Sequence, residues 1–118
     1  MKLELQQRLV MKYPKIFPNS EDYYGFNCGD GWYSLIDALC TELQYLTDKE
    51  GYPQVVAQQV TERQGALAFP YYVDIKDEKT SHLGALDSLI HFARYLSSSI
   101  CETCGKHKTC EDCNERVN

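Results

Sequence analysis

Leu3, Leu5, Leu9, Val10 and Tyr13 recur at the three-and-four spacing of one helical face, and Pro14 ends the run. That pattern predicts a helix over residues 1–13. Residues 14–30 have no period. They hold two Pro, two Gly and four aromatics, so a loop is expected, packed down by its rings rather than disordered. From residue 31 the helical period returns. Trp32, Leu35, Ile36, Leu39, Cys40, Leu43 and Leu46 form one apolar stripe, which predicts a helix over 31–48. Asp30 stands where an N-cap belongs, and Gly51 and Pro53 supply the stop.

The period then shortens. Val55, Val56 and Val60 lie in one strand-like run, and Leu67, Phe69, Tyr71 and Val73 alternate in a second. Arg63-Gln64-Gly65 separates them as a turn, so an antiparallel hairpin is expected. Pro70 inside the second run marks an edge strand or a bulge. Residues 75–82 are a charged loop. A third helix is expected over 83–99, with Leu86, Leu89, Ile90, Ala93 and Leu96 inward and the serines 97–99 fraying. The expected fold is α+β, in the order α-α-β-β-α, with a core domain over 1–100 and a metal-binding tail over 101–118.

Length and composition sharpen this picture. A chain of 118 residues with 43% hydrophobic residues makes one small core, marginal by packing alone. A metal cross-link at one end therefore has a physical use. No leader-like apolar run and no stretch near the roughly 20 apolar residues of a membrane span is present. Six Cys without a leader point to reduced, metal-binding thiols in a cytosol. The net charge of −5 repels nucleic-acid phosphates and suits a basic protein surface or plain solubility.

The tail carries the most specific chemistry. Cys101-Glu-Thr-Cys104 is followed after five residues, the first of them Gly105, by Cys110-Glu-Asp-Cys113. A CxxC turn presents two thiolates to one ion, and four such ligands suit tetrahedral Zn²⁺. The short gap reads as a knuckle rather than a ribbon. Two disulfides or an iron–sulfur cluster are the competing readings, and His107 could replace one Cys. Compartment and ligand preference favour zinc held by Cys101, Cys104, Cys110 and Cys113. Four thiolates leave no open position for water, so the metal is expected to be structural. Lys106, His107, Lys108 and Arg116 are offset by Glu102, Glu111, Asp112 and Glu115, and the tail has no aromatic to stack on a base. Both features argue against nucleic-acid contact.

Other candidates read as structural. Asp30 and Asp37 lie seven residues apart on the second helix, but no third catalytic group accompanies them, so Asp30 reads as a cap and Asp37 as the partner of a Lys, an Arg or a backbone amide. Asp87 and His91 form an i,i+4 surface pair. Cys40 falls on the apolar stripe, and acidic neighbours disfavour a thiolate at Cys28. No enzymatic site is expected. The acidity is concentrated: Glu21, Asp22, Asp30, Asp37, Glu42, Asp48 and Glu50 stand against Lys49 alone, a net −6 over residues 21–50.

Gly29-Asp30-Gly31-Trp32-Tyr33 with Leu35-Ile36 and Leu39-Cys40, then Gly65, Leu67, Phe69 and Tyr71, then Cys101-Glu102 and Cys104-Gly105, together resemble a group of small uncharacterised proteins of tailed bacteriophages and prophages. The resemblance spans the chain from about residue 13 onward. It departs at Ala68, where the group often has a basic residue, and at Cys110 and Cys113, where its last metal pair often resembles Cys and His. The resemblance carries no agreed activity. It implies an infected bacterial cytosol as the setting, where small acidic proteins often bind and block a host protein. The expected function is protein binding that modulates or inhibits a host or defence factor through a basic surface, met by Glu21, Asp22, Asp37, Glu42 and Asp48. A nucleic-acid-binding regulator that uses the zinc knuckle and the basic first helix is the alternative.

Overall fold

The computed structural model describes residues 1–18, 25–74 and 83–107. Helix α1 spans Leu3–Lys12, a two-residue strand β1 spans Phe26–Asn27, and a single 3-10 turn over Asp30–Trp32 leads into α2, Tyr33–Glu50. Four strands follow: β2 (Gln54–Ala57), β3 (Val60–Arg63), β4 (Ala66–Ala68) and β5 (Tyr71–Asp74). Helix α3 spans Leu83–Ser97. The architecture is α+β, and the three helices stand where the apolar periods place them.

The expected hairpin is present, but each arm is broken in two. β2 pairs with β5 and β3 with β4, both antiparallel. The register shifts between the halves: Ala57 faces Tyr71, whereas Thr61 faces Ala68. Three residues, 58–60, therefore oppose two, 69 and 70, which is a β-bulge. Pro70 sits in it, lacking an N–H for the ladder, and its carbonyl accepts from the Gln58 amide at 2.8 Å. The tip is a two-residue turn in which Gln64 (φ 54°) and Gly65 (φ 81°) are both left-handed. That is the turn whose twist suits a hairpin. The aromatic loop contributes as well. β1 adds to β3 in parallel, with Phe26 beside Val60, and the Ala57 amide donates to the Ile16 carbonyl at 2.8 Å.

One core joins these elements. Trp32 from the 3-10 turn and Ile36, Leu39, Cys40 and Leu43 from α2 pack with Leu9, Tyr13, Ile16 and Phe17. Val55, Val60, Leu67, Leu86, Ile90 and Ala93 close it. Leu35 and Leu46, at the edges of the α2 stripe, are half-buried. Two expectations for α3 need correction. Leu96 is 39% exposed, and the inward position at that turn belongs to Ser97, fully buried. Its hydroxyl accepts the Leu67 amide at 2.7 Å and donates to the Arg94 carbonyl at 2.5 Å. Ser97 does not fray. It satisfies a buried strand amide that would otherwise cost about 1–3 kcal/mol.

Asp30 does not cap α2. Its Oδ1 accepts the Lys2 amide at 2.7 Å, so the carboxylate anchors the start of α1 instead. Asp37 faces the far end of the same helix. Lys12 Nζ lies 2.8 Å from its Oδ1, and the Tyr13 hydroxyl donates to that oxygen at 2.5 Å. Partial burial works against the Asp37 carboxylate, but the Lys12 and Tyr13 hydrogen bonds outweigh it and hold the group below its usual 3.8. An exposed pair of this kind contributes modestly, and Asp37→Asn should be slightly less stable than the parent near neutral pH. A depressed folded pKa stabilises fully above the unfolded value and loses its effect as pH falls through the folded one. In urea titrations the gap between parent and variant should therefore hold above about pH 5 and close as the medium is acidified below 3.8. A gap unchanged by pH would show that the carboxylate charge is not its source.

Candidate functional site

The first CxxC pair lies in a compact reversal of the chain. The Gly105 amide donates to the Cys101 carbonyl at 2.8 Å, the Cys101 amide donates to the Lys106 carbonyl at 2.6 Å, and Ile100 pairs with His107 as an isolated antiparallel bridge. Gly105 adopts φ 78°, a conformation that costs a residue with a Cβ. The Cys101 and Cys104 side chains are half-buried at the rim of this turn. Their type, spacing and turn fit two thiolate ligands of a tetrahedral ion. Cys110 and Cys113 lie outside the described residues. Among the described residues no three His, Cys, Asp or Glu side chains gather into a metal-holding group.

What sequence reasoning missed is where the turn sits. It docks on the Gly29-Asp30-Gly31-Trp32 corner at the start of α2. The Gly31 amide donates to the Glu102 carbonyl at 2.6 Å, and Trp32 Nε1 donates to the Ile100 carbonyl at 2.9 Å. The two glycines make this approach possible. A Cβ on Gly29 would fall on the Glu102 carbonyl and side chain, and one on Gly31 would collide with the Cys101 carbonyl and the Gly105 amide. Those obstacles are mostly backbone, which no rotamer change can clear. The glycines and the CxxCG turn, some 70 residues apart, are thus two halves of one joint. The signal in the sequence was a pair of glycines flanking an Asp at a helix start, where only one residue of that kind is ordinarily useful.

Cys28 adjoins the joint but is not part of a thiolate site. It is 6% exposed, and burial, opposed by the N-terminal ammonium but reinforced by the Glu102 and Asp30 carboxylates, pushes its thiol up to about 11. It is therefore protonated at neutral pH and poorly nucleophilic. Cys40 is fully buried and its thiol is likewise pushed up by burial.

Of the expected docking residues, Glu21 and Asp22 lie outside the described residues. Asp37 is occupied by Lys12 and Tyr13, and Asp30 by Lys2. The basic first helix and part of the acidic segment thus neutralise each other. Glu42 and Asp48 are exposed on α2, and between them Tyr45 stands 49% exposed. Asp48 also accepts from Gln44 Nε2 at 3.0 Å.

Asp87 takes a hydrogen bond from the Tyr71 hydroxyl at 3.1 Å; the structure shows no ion pair between Asp87 and His91. Both line a groove of about 390 Å³ between α3 and the β4–β5 arm, with Arg63 and Arg94. Tyr71 adds to its polar lining beside Asp87 and His91. Among the described residues no helix is long and apolar enough to cross a membrane. Comparison with protein-family models, with curated proteins and with solved structures yields no match to this chain.

Proposed function

We propose that this chain is a phage-type protein-binding module of a bacterial cytosol. It would dock the outer face of α2 on a basic surface of a host or defence protein and so modulate or inhibit it. The observation that supports this reading is Tyr45, half-exposed between Glu42 and Asp48 at three-residue spacing on one helical face. Large Tyr side chains with an apolar body and a polar tip are favoured anchors at protein interfaces, and flanking carboxylates steer a basic partner. Tyr45 was absent from the docking set expected from charge alone; exposure brings it in.

The zinc has a separate role in this reading. Cys101, Cys104, Cys110 and Cys113 would hold it, and the ion would supply a cross-link between chain segments, with no open coordination position for chemistry. The cross-link would close a turn that touches the α2 start through Gly31 and Trp32. The docking helix would then be braced at the end opposite Tyr45.

The test is capture from a bacterial lysate on the immobilised zinc-loaded protein, with mass spectrometry of what is retained. Glu42→Lys combined with Asp48→Lys serves as the comparison. A partner held by the parent should associate more slowly with the variant, and the difference should shrink as salt screens the field. Equal retention and an equal association rate at low salt, in a variant shown to be folded, would sink docking through this face.

A further inference from the structure

Helix α3 is apolar on two sides. Leu86, Ile90, Ala93 and Ser97 face the core. On the opposite side Phe92 is 59% exposed, Tyr95 74% and Leu96 39%. A surface helix normally carries one apolar stripe and turns polar residues to water. Three large adjoining side chains in solvent form an apolar patch of the size that is often functional in a small protein.

The chain itself offers little to cover them. Of the segments outside the described residues, 75–82 (IKDEKTSH) and 108–118 (KTCEDCNERVN) have no aromatic and at most one large aliphatic side chain each, and 19–24 (NSEDYY) has two tyrosines beside four polar residues and no aliphatic. The stripe's own composition is more informative. Ala85, Ser88, Phe92 and Tyr95 follow one another at intervals of three, four and three, which is the seam spacing of paired helices. All four are exposed. The two in the N-terminal half are small and the two in the C-terminal half are large.

That gradient is self-complementary in one orientation. A two-fold axis passing beside Ile90 runs a second copy antiparallel. It lays Tyr95 over the partner's Ala85 and Phe92 over the partner's Ser88, and the reverse contacts follow by symmetry. Both pairs share a single register, because Ala85 and Tyr95 are as far from residue 90 as each other, and so are Ser88 and Phe92. At one edge Leu96 turns toward the partner's Leu89, which is half-buried in its own fold. A parallel pair would stack Tyr95 on Tyr95 and leave Ala85 opposite Ala85, crowded at one end and hollow at the other.

We propose that the outer face of α3 is a homodimer interface in which a second copy of this chain packs antiparallel across Phe92 and Tyr95. Its strength follows from its size. The exposed parts of the three large side chains come to roughly 300–400 Å² per copy. Two copies stay below the roughly 1,200 Å² of a standard interface, which sets a weak, reversible dimer with Kd between about 10 μM and 1 mM. This surface is separate from the α2 face assigned to a partner, so either reading can fail without the other.

Sedimentation equilibrium of the full zinc-loaded chain provides the test. The mass should rise with concentration from the 13.6 kDa of one chain toward twice that value. Ala85→Glu and Tyr95→Lys, each at an exposed position, should each weaken association at least about tenfold while circular dichroism stays unchanged. Combined in one chain they place opposite charges across the two-fold, and association should recover relative to either single variant. A monomer at every concentration up to about 1 mM would overturn the proposal. So would a dimer indifferent to both substitutions, or one that the singles weaken and the combination does not restore.

Discussion

Trp32→Ala is expected to destabilise the protein by about 3–5 kcal/mol, the range for truncating a large buried aromatic. Trp32 is 1% exposed and stands where α2, the aromatic loop and the 100–107 turn converge. Its ring fills the head of the α2 stripe, and its Nε1 donates to the Ile100 carbonyl at 2.9 Å. Alanine would leave both a cavity and a partly buried carbonyl without its donor. Trp32→Phe separates the two losses, since it keeps most of the ring and removes only the hydrogen bond. It should cost less than alanine by at least the cavity contribution. Urea unfolding followed by circular dichroism measures both, with the midpoint moving at unchanged slope. A Trp32→Ala variant as stable as the parent would mean that the side chain is not a core anchor.

Gly31→Ala should have the next largest effect, about 2–4 kcal/mol, although it adds a single methyl group. The methyl would meet the Cys101 carbonyl and the Gly105 amide. Relief requires the CxxC turn to move off the corner. That movement would break the 2.6 Å bond from the Gly31 amide to Glu102 and the Trp32 bond to Ile100. Three readouts should therefore change together: the Gly31 amide loses exchange protection, Trp32 emission shifts to the red, and the proposed zinc passes faster to a chelator. Cys104→Ser should reproduce all three by removing a proposed ligand, because metal binding and the ordering of such a turn are coupled. If Gly31→Ala keeps its emission spectrum and its zinc, the turn and the corner are independent units.

These two results bear on how the chain is organised. A tail appended to a finished core would tolerate a methyl group at Gly31. In the structure residues 100–107 are packed against the start of α2, and the Gly29 and Gly31 positions make sense only with that turn in place. The same contact links the proposed zinc to the proposed docking helix. Loss of the metal would loosen the α2 start before it altered Glu42, Tyr45 or Asp48.

The periodic features were legible from residues alone. The stripe from Trp32 to Leu46, the reversal at Gln64-Gly65 and the bulge announced by Pro70 each depend on backbone preferences within a few residues. A helical face or a turn is therefore visible in a short window of sequence. The apolar side of α3 was read correctly at Leu86, Ile90 and Ala93, and missed at the last turn. Ser97 lies at the next inward step, but its burial depends on an orphan amide at Leu67, thirty residues earlier in the chain.

The polar partnerships were decided by the tertiary structure. Asp30 has the chemistry of an N-cap and the right position for one, yet the Lys2 amide reaches it first because α1 begins beside it. Asp37 was expected to meet a basic side chain or a backbone amide, but which one was settled only when folding brought Lys12 and Tyr13 to it. Composition could total those charges, but only the closure of α1 on α2 decides which remain open to a partner. The CxxC pattern behind the proposed metal site is a local spacing and was open to reading from sequence alone. The seat for its turn was not, because the space required of Gly29 and Gly31 is defined by backbone from the other end of the chain.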